Sequence, residues 1–128
     1  MIESYTYAIQ GWKIDDSNKE HEIFNELDDI CSSVYGKEDI YEILDGFIIE
    51  DSMGCQYLYF GAVLGRLDNK WGDKMDFTIS TKLLAEKVSK FNKMCKDYPE
   101  IKKIFDFAIE NGYTEAKEEQ LYIVSHTC

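Results

Sequence analysis

The chain has 128 residues, 45% of them apolar and 30% charged, with 18 aromatics and a formal net charge of −11. That length suits one domain with a single core, and the aromatic content argues against a disordered acidic chain, which lacks the side chains to offset backbone entropy. The charge is one-sided: residues 1–65 carry 14 Asp/Glu against three Lys, whereas residues 66–128 carry 11 acids against 11 bases. Such a field repels free nucleic acid and anionic membrane and attracts basic protein surfaces.

In chain order, Tyr5 to Ile14 alternates and is rich in β-formers, which predicts a first strand ending at the turn and cap residues Asp15-Asp16-Ser17-Asn18. From Lys19 the period turns helical, with Ile23, Leu27, Ile30 and Val34 as an inward stripe flanked by Phe24 and Cys31, and Gly36 as the stop. Lys37 to Leu44 reads as a shorter helix ended by Asp45-Gly46. Phe47 to Glu50 and Gln56 to Leu64 read as strands joined in a hairpin through Asp51-Ser52-Met53-Gly54.

Asp68 to Lys74 is a polar loop around Trp71, and Asp76 to Ile79 a brief extended segment. Ser80 or Thr81 then caps a helix with Leu84, Val88, Phe91 and Cys95 inward. Tyr98-Pro99 interrupts it, because the residue before proline avoids the α region. Pro99 opens a further helix to Glu110, with Ile101, Ile104, Phe105, Ala108 and Ile109 inward and Asn111-Gly112 as the stop; Gln120 to Thr127 closes as a strand. The fold class expected is α+β: one antiparallel or mixed sheet of about four strands with helices on one face, in the ferredoxin-like βαββαβ order.

No motif for chemistry stands out. Gly61-Ala62-Val63-Leu64-Gly65 lacks the Lys and hydroxyl of a phosphate loop, so its glycines read as a bulge or a close backbone approach. His21 and His126 have no metal-ligand spacing, and the carboxylate pairs, Asp15/Asp16 among them, do not form a calcium-binding loop. Cys31, Cys55, Cys95 and Cys128 include no CxxC pair; Cys31 and Cys95 fall on apolar stripes and read as small buried hydrophobes. Lys87, Lys90, Lys93 and Lys96 step along one helix, a solvated face with Arg66 the chain's single arginine. No catalytic residue, cofactor or metal is assigned. The polar, alternating start at Met1 and the lack of an apolar run near 18 residues predict a cytoplasmic protein.

The acidic half supplies the candidate site. Glu22, Glu26 and Asp29 stand at i, i+4 and i+7 beside Glu20 and Asp28, and Glu38, Asp39, Glu42, Asp45, Glu50 and Asp51 continue the series. Like charges at i, i+4 cost a helix a few tenths of a kcal/mol each, so a basic partner is expected to repay them, the alternative being that the acidity serves solubility alone. In size, acidity and want of a catalytic motif the chain resembles phage-encoded anti-defence proteins, such as anti-CRISPR and anti-restriction inhibitors that compete with DNA. The resemblance implies a DNA-mimicking inhibitor on a nucleic-acid-binding protein or nuclease, placed in the host cytoplasm. The alternatives are an immunity protein neutralising a nuclease toxin, a small enzyme with an unrecognised site, and a structural protein; a homo-oligomer is compatible with each. Tyr5, Tyr7, Tyr57 and Tyr59, at period two, form a second surface if they face away from the helices.

Overall fold

The computed structural model of the chain describes residues 4–16, 22–50, 57–69, 80–114 and 116–127. In order these form β1 (Ser4–Asp15), α1 (Ile23–Ser33), α2 (Tyr41–Leu44), β2 (Ile48–Glu50), β3 (Tyr57–Asn69), α3 (Thr81–Asp97), α4 (Pro99–Glu110) and β4 (Gln120–Thr127). The protein is α+β, with one four-stranded antiparallel sheet in the order β2-β3-β1-β4. No described helix is long and apolar enough to cross a membrane.

The helix ends follow local chemistry. Ser80 caps α3, its hydroxyl accepting from the Leu83 N–H at 3.1 Å. Glu22, at the N-cap of α1, makes no such bond; instead the Asp16 carboxylate reaches across and accepts from the N–H groups of Ile23 at 2.6 Å and Phe24 at 3.3 Å. Asp16 thus serves as a cap for a helix that begins seven residues later.

Three boundaries differ from expectation. Asp68 and Asn69 are paired in β3, opposite Tyr5 and Ser4, and not in a loop. The ladder of β1 holds them there, overriding their turn preference. A register shift between Ala8 and Ile9 marks the bulge, where Leu64 is the extra residue on β3. The second helix begins only at Tyr41, because Gly36 takes a φ of 65° and the Asp39 carboxylate accepts the Tyr41 N–H at 3.0 Å, which organises 37–40 as turns. Val34, expected in the apolar stripe, lies past the end of α1 and is 53% exposed.

The main core joins Ala8, Ile14, Ile48, Leu58, Phe60, Ala62 and Leu64 of the sheet to buried residues from all four helices. Phe60 is its centre, stacked on Phe105 with ring centroids 3.3 Å apart and meeting Phe91 edge-on at 5.1 Å. A smaller cluster of Ile9, Ile49 and Val124, flanked by Tyr7, Tyr59, Val63 and Tyr122, contains no helical residue and lies on the opposite sheet face. That places the tyrosines away from the helices and Leu58, Phe60 and Ala62 in the core. Across the central strands Gly11 faces Gly61, and a side chain on either would strike the backbone of the other strand. The glycines around residue 61 thus mark both a bulge and a close approach.

Candidate protein-binding surface

The acidic face is built on α1. Ile23, Leu27 and Cys31 are buried against the core, so the 3.6-residue period turns Glu22, Asp28 and Asp29 to solvent, and all three are exposed. Glu26 is half-buried at the rim of an open groove of about 270 Å³ between α1 and α4, together with Ile30, Glu100, Lys103, Ile104 and Phe107. Lys103 is held by Glu100 at 3.0 Å. The groove therefore offers an apolar floor edged by carboxylates.

A second acidic row runs through residues 38–50. Glu38, Asp39, Glu42 and Asp45 are exposed, while Glu50 is half-buried and accepts a hydrogen bond from the Tyr41 hydroxyl. Asp45 and Glu50 help line a shallow basin of about 290 Å³ that also includes Tyr7, Tyr41, Val63 and Arg66. Glu20 and Asp51 lie outside the described residues, as does His21. Among the described residues, Glu22, Asp28, Asp29, Glu38, Asp39, Glu42 and Asp45 form no ion pair with a lysine or arginine, whereas on α4 Lys102 pairs with Asp106 and Lys103 with Glu100.

Four described carboxylates, Glu22, Glu26, Asp28 and Asp29, serve the roughly 17 Å of α1 at 1.5 Å per residue, about one per 4 Å and on more than one side of the helix. That is more dilute than the 3.4 Å of a single nucleic-acid strand, so α1 needs the row through residues 38–45 to complete the face. The positive charge lies elsewhere: Lys82, Lys90, Lys93 and Lys96 are exposed along α3. The domain is thus electrically polar, acidic along α1 and basic along α3.

The opposite sheet face carries aromatic rings interleaved with two cations. Lys13 sits over the Tyr57 ring at 4.3 Å and Arg66 over the Tyr5 ring at 4.8 Å, while Tyr59 meets Tyr122 edge-on at 5.7 Å. Phe107 and Arg66 join these surfaces without standing among the acidic residues that the sequence pattern marks. Phe107 had a signal, an aromatic outside the inward stripe of α4; Arg66 had none beyond being the single arginine.

Burial pushes the thiols of Cys31 and Cys95 above their ordinary range. Asp28 adds to the effect at Cys31, and at Cys95 Lys102 opposes it before Asp106 reinforces it. Neither thiol is primed as a nucleophile. Among the described residues no group of three or more His, Cys, Asp and Glu is placed to hold a metal ion. No protein-family model matches this chain, and no curated protein or solved structure matches it either.

Proposed function

We propose that this is a small acidic binding protein, acting in the cytoplasm, that occupies a basic, nucleic-acid-binding surface of a target protein, in the manner of phage anti-defence inhibitors. The observation that carries the reading is the set of exposed carboxylates on α1 and residues 38–45, which find no cationic partner within the described chain. Their mutual repulsion costs stability unless a partner neutralises it. The groove beside Glu26 supplies what a charge row alone lacks, an apolar seat for one side chain of the partner, so that the contact has a place as well as a sign. For the fold we propose the ferredoxin-like arrangement; the strand order β2-β3-β1-β4 and the helical connections after β1 and β3 support it.

The test is capture of partners on the tagged full chain, followed by competition. Captured proteins should be basic and nucleic-acid-binding, and a single-stranded oligonucleotide should displace them. Retention that is indifferent to both oligonucleotide and salt would overturn the proposal.

A further inference from the structure

The two edges of the sheet are protected very differently. β2 is only three residues long, ends in Glu50 and is continued by backbone bonds from Gly61 to Phe47 and from Val63 to Gly46, so it offers little to a second strand. β4 is eight residues long and pairs only with β1 among the described strands, which leaves its outer edge as a ladder of N–H and C=O groups. Folded proteins usually blunt such an edge with Lys, Glu or Pro. The β4 sequence, Gln-Leu-Tyr-Ile-Val-Ser-His-Thr, has none of them, in a chain that is 30% charged. Leu121 and Ile123 are 62% and 63% exposed, the two most exposed large apolar residues described.

We infer that β4 pairs antiparallel with β4 of a second copy of this chain, joining two four-stranded sheets into one of eight. Self-complementarity selects a second copy: an antiparallel ribbon of two β4 strands sets the same apolar edge against itself, and charge permits it there. With a net charge of −11 each, two copies repel wherever acidic faces meet, and β4 is a strand on which no carboxylate opposes another. In an antiparallel pair Glu118 and Glu119 of the two copies fall at opposite ends of a ribbon about 26 Å long. A two-fold axis normal to the sheet also satisfies both faces. Leu121 and Ile123 lie opposite Gln10 and Ala8, on the helix side, and with the axis at Tyr122 the Leu121 of each copy faces the Ile123 of the other there; Tyr122 and Val124 extend the small cluster of Ile9 and Ile49 across the seam on the other side. A contact about 26 Å long and about 15 Å wide covers roughly 400 Å² per copy, or about 800 Å² in total, below the roughly 1,200 Å² at which stable specific interfaces begin and in the range of a transient contact. The dimer is consequently weak and concentration-dependent.

The measurement is sedimentation of the full chain from about 10 to about 500 μM, at salt from about 50 to about 500 mM. A monomer–dimer equilibrium in that range is expected, and it should tighten as salt rises, because salt screens the repulsion between copies. This sign is opposite to that of capture of a basic partner, so the two proposals fail separately. Ile123→Lys places two like charges across the seam and should weaken the dimer at least about tenfold; Ile123→Thr, which keeps a β-branched residue, should weaken it less and guards against misfolding. Glu22→Lys with Asp28→Lys and Asp29→Lys should not weaken the dimer and, by lowering the repulsion between copies, should tighten it as salt does. A monomer at every concentration, or a dimer indifferent to both Ile123 variants, would overturn the inference.

Discussion

Gly11→Ala tests the close pairing of the two central strands. A Cβ on Gly11 would lie 2.0 Å from the Phe60 carbonyl oxygen and 2.7 Å from the Gly61 Cα, and one on Gly61 would lie 2.1 Å from the Gln10 carbonyl oxygen. These are backbone atoms of paired strands, so no rotamer change relieves the overlap. Restoring an ordinary contact requires β1 and β3 to part by more than about 1 Å, which breaks about two ladder bonds in the middle of the sheet at about 1–3 kcal/mol each. Allowing about 0.5 kcal/mol back from the stiffer unfolded chain, the net loss is about 2–5 kcal/mol of a total of about 5–15 kcal/mol. Urea unfolding followed by circular dichroism should show the midpoint falling by about 1–3 M at a slope near 1.5–2 kcal/mol/M. Gly11→Ala with Gly61→Ala should cost less than the sum of the two, since the first methyl already parts the strands. Gly112→Ala, with nothing within 4 Å but a φ of 80°, isolates the backbone effect and should cost about 1–2 kcal/mol. A midpoint shift under about 0.5 M for Gly11→Ala, or strict additivity of the pair, would refute the close approach.

Three further outcomes follow from the same structure. Burial holds the Asp16 carboxyl above its ordinary 3.8, against the pull of the Ile23 and Phe24 N–H groups and with help from Glu22 and Asp15. The folded chain then binds this proton more tightly than the unfolded chain, so its contribution to stability is full below about pH 3.8 and is lost as pH rises through the folded value. The stability of the parent relative to Asp16→Asn should therefore fall with rising pH; a rise would show the cap bonds outweighing burial. Cys31 is fully buried and its thiol is held protonated, so a thiol reagent at about pH 8 should modify it only as the chain unfolds, and prompt labelling would contradict its place in the core. Phe60→Ala removes the ring shared by Phe105 and Phe91 and should cost about 3–5 kcal/mol by urea unfolding; a loss under about 1 kcal/mol would mean the core closes over the gap.

Periodicity, with turn, cap and proline signals, placed each described strand and helix, because the burial of α1, α4 and the sheet obeys the helical and strand repeats along which their apolar residues are spaced. The boundaries that moved did so for reasons outside local preference. Asp68 and Asn69 are strand residues only because β1 continues opposite them, and residues 37–40 lose their helix to the Asp39 turn. The tyrosine parity could be read but not its side, since Leu58, Phe60 and Ala62 are as apolar as Tyr57 and Tyr59; the helices decide it by packing on Phe60. In the acidic row, exposure at Glu22, Asp28 and Asp29 follows from the α1 stripe, whereas the half-burial of Glu26 depends on α4 lying alongside, a tertiary fact with no local mark. Likewise the exposure of Leu121 and Ile123 comes from β4 standing at the edge of the sheet, a position that strand order settles and composition does not.

The central claim is that the exposed carboxylates of α1 engage a basic surface. Its most direct test is the affinity of a captured partner for the parent chain and for the variant carrying Glu22→Lys, Asp28→Lys and Asp29→Lys, measured at low and at physiological salt. Losing three exposed attractions of about 0.2–1 kcal/mol each and replacing them with repulsions of similar size predicts a dissociation constant raised by at least about tenfold. It also predicts that binding by the parent weakens steeply as salt rises. An unchanged dissociation constant in the variant, or an affinity for the parent that is flat across the salt range, would contradict the account.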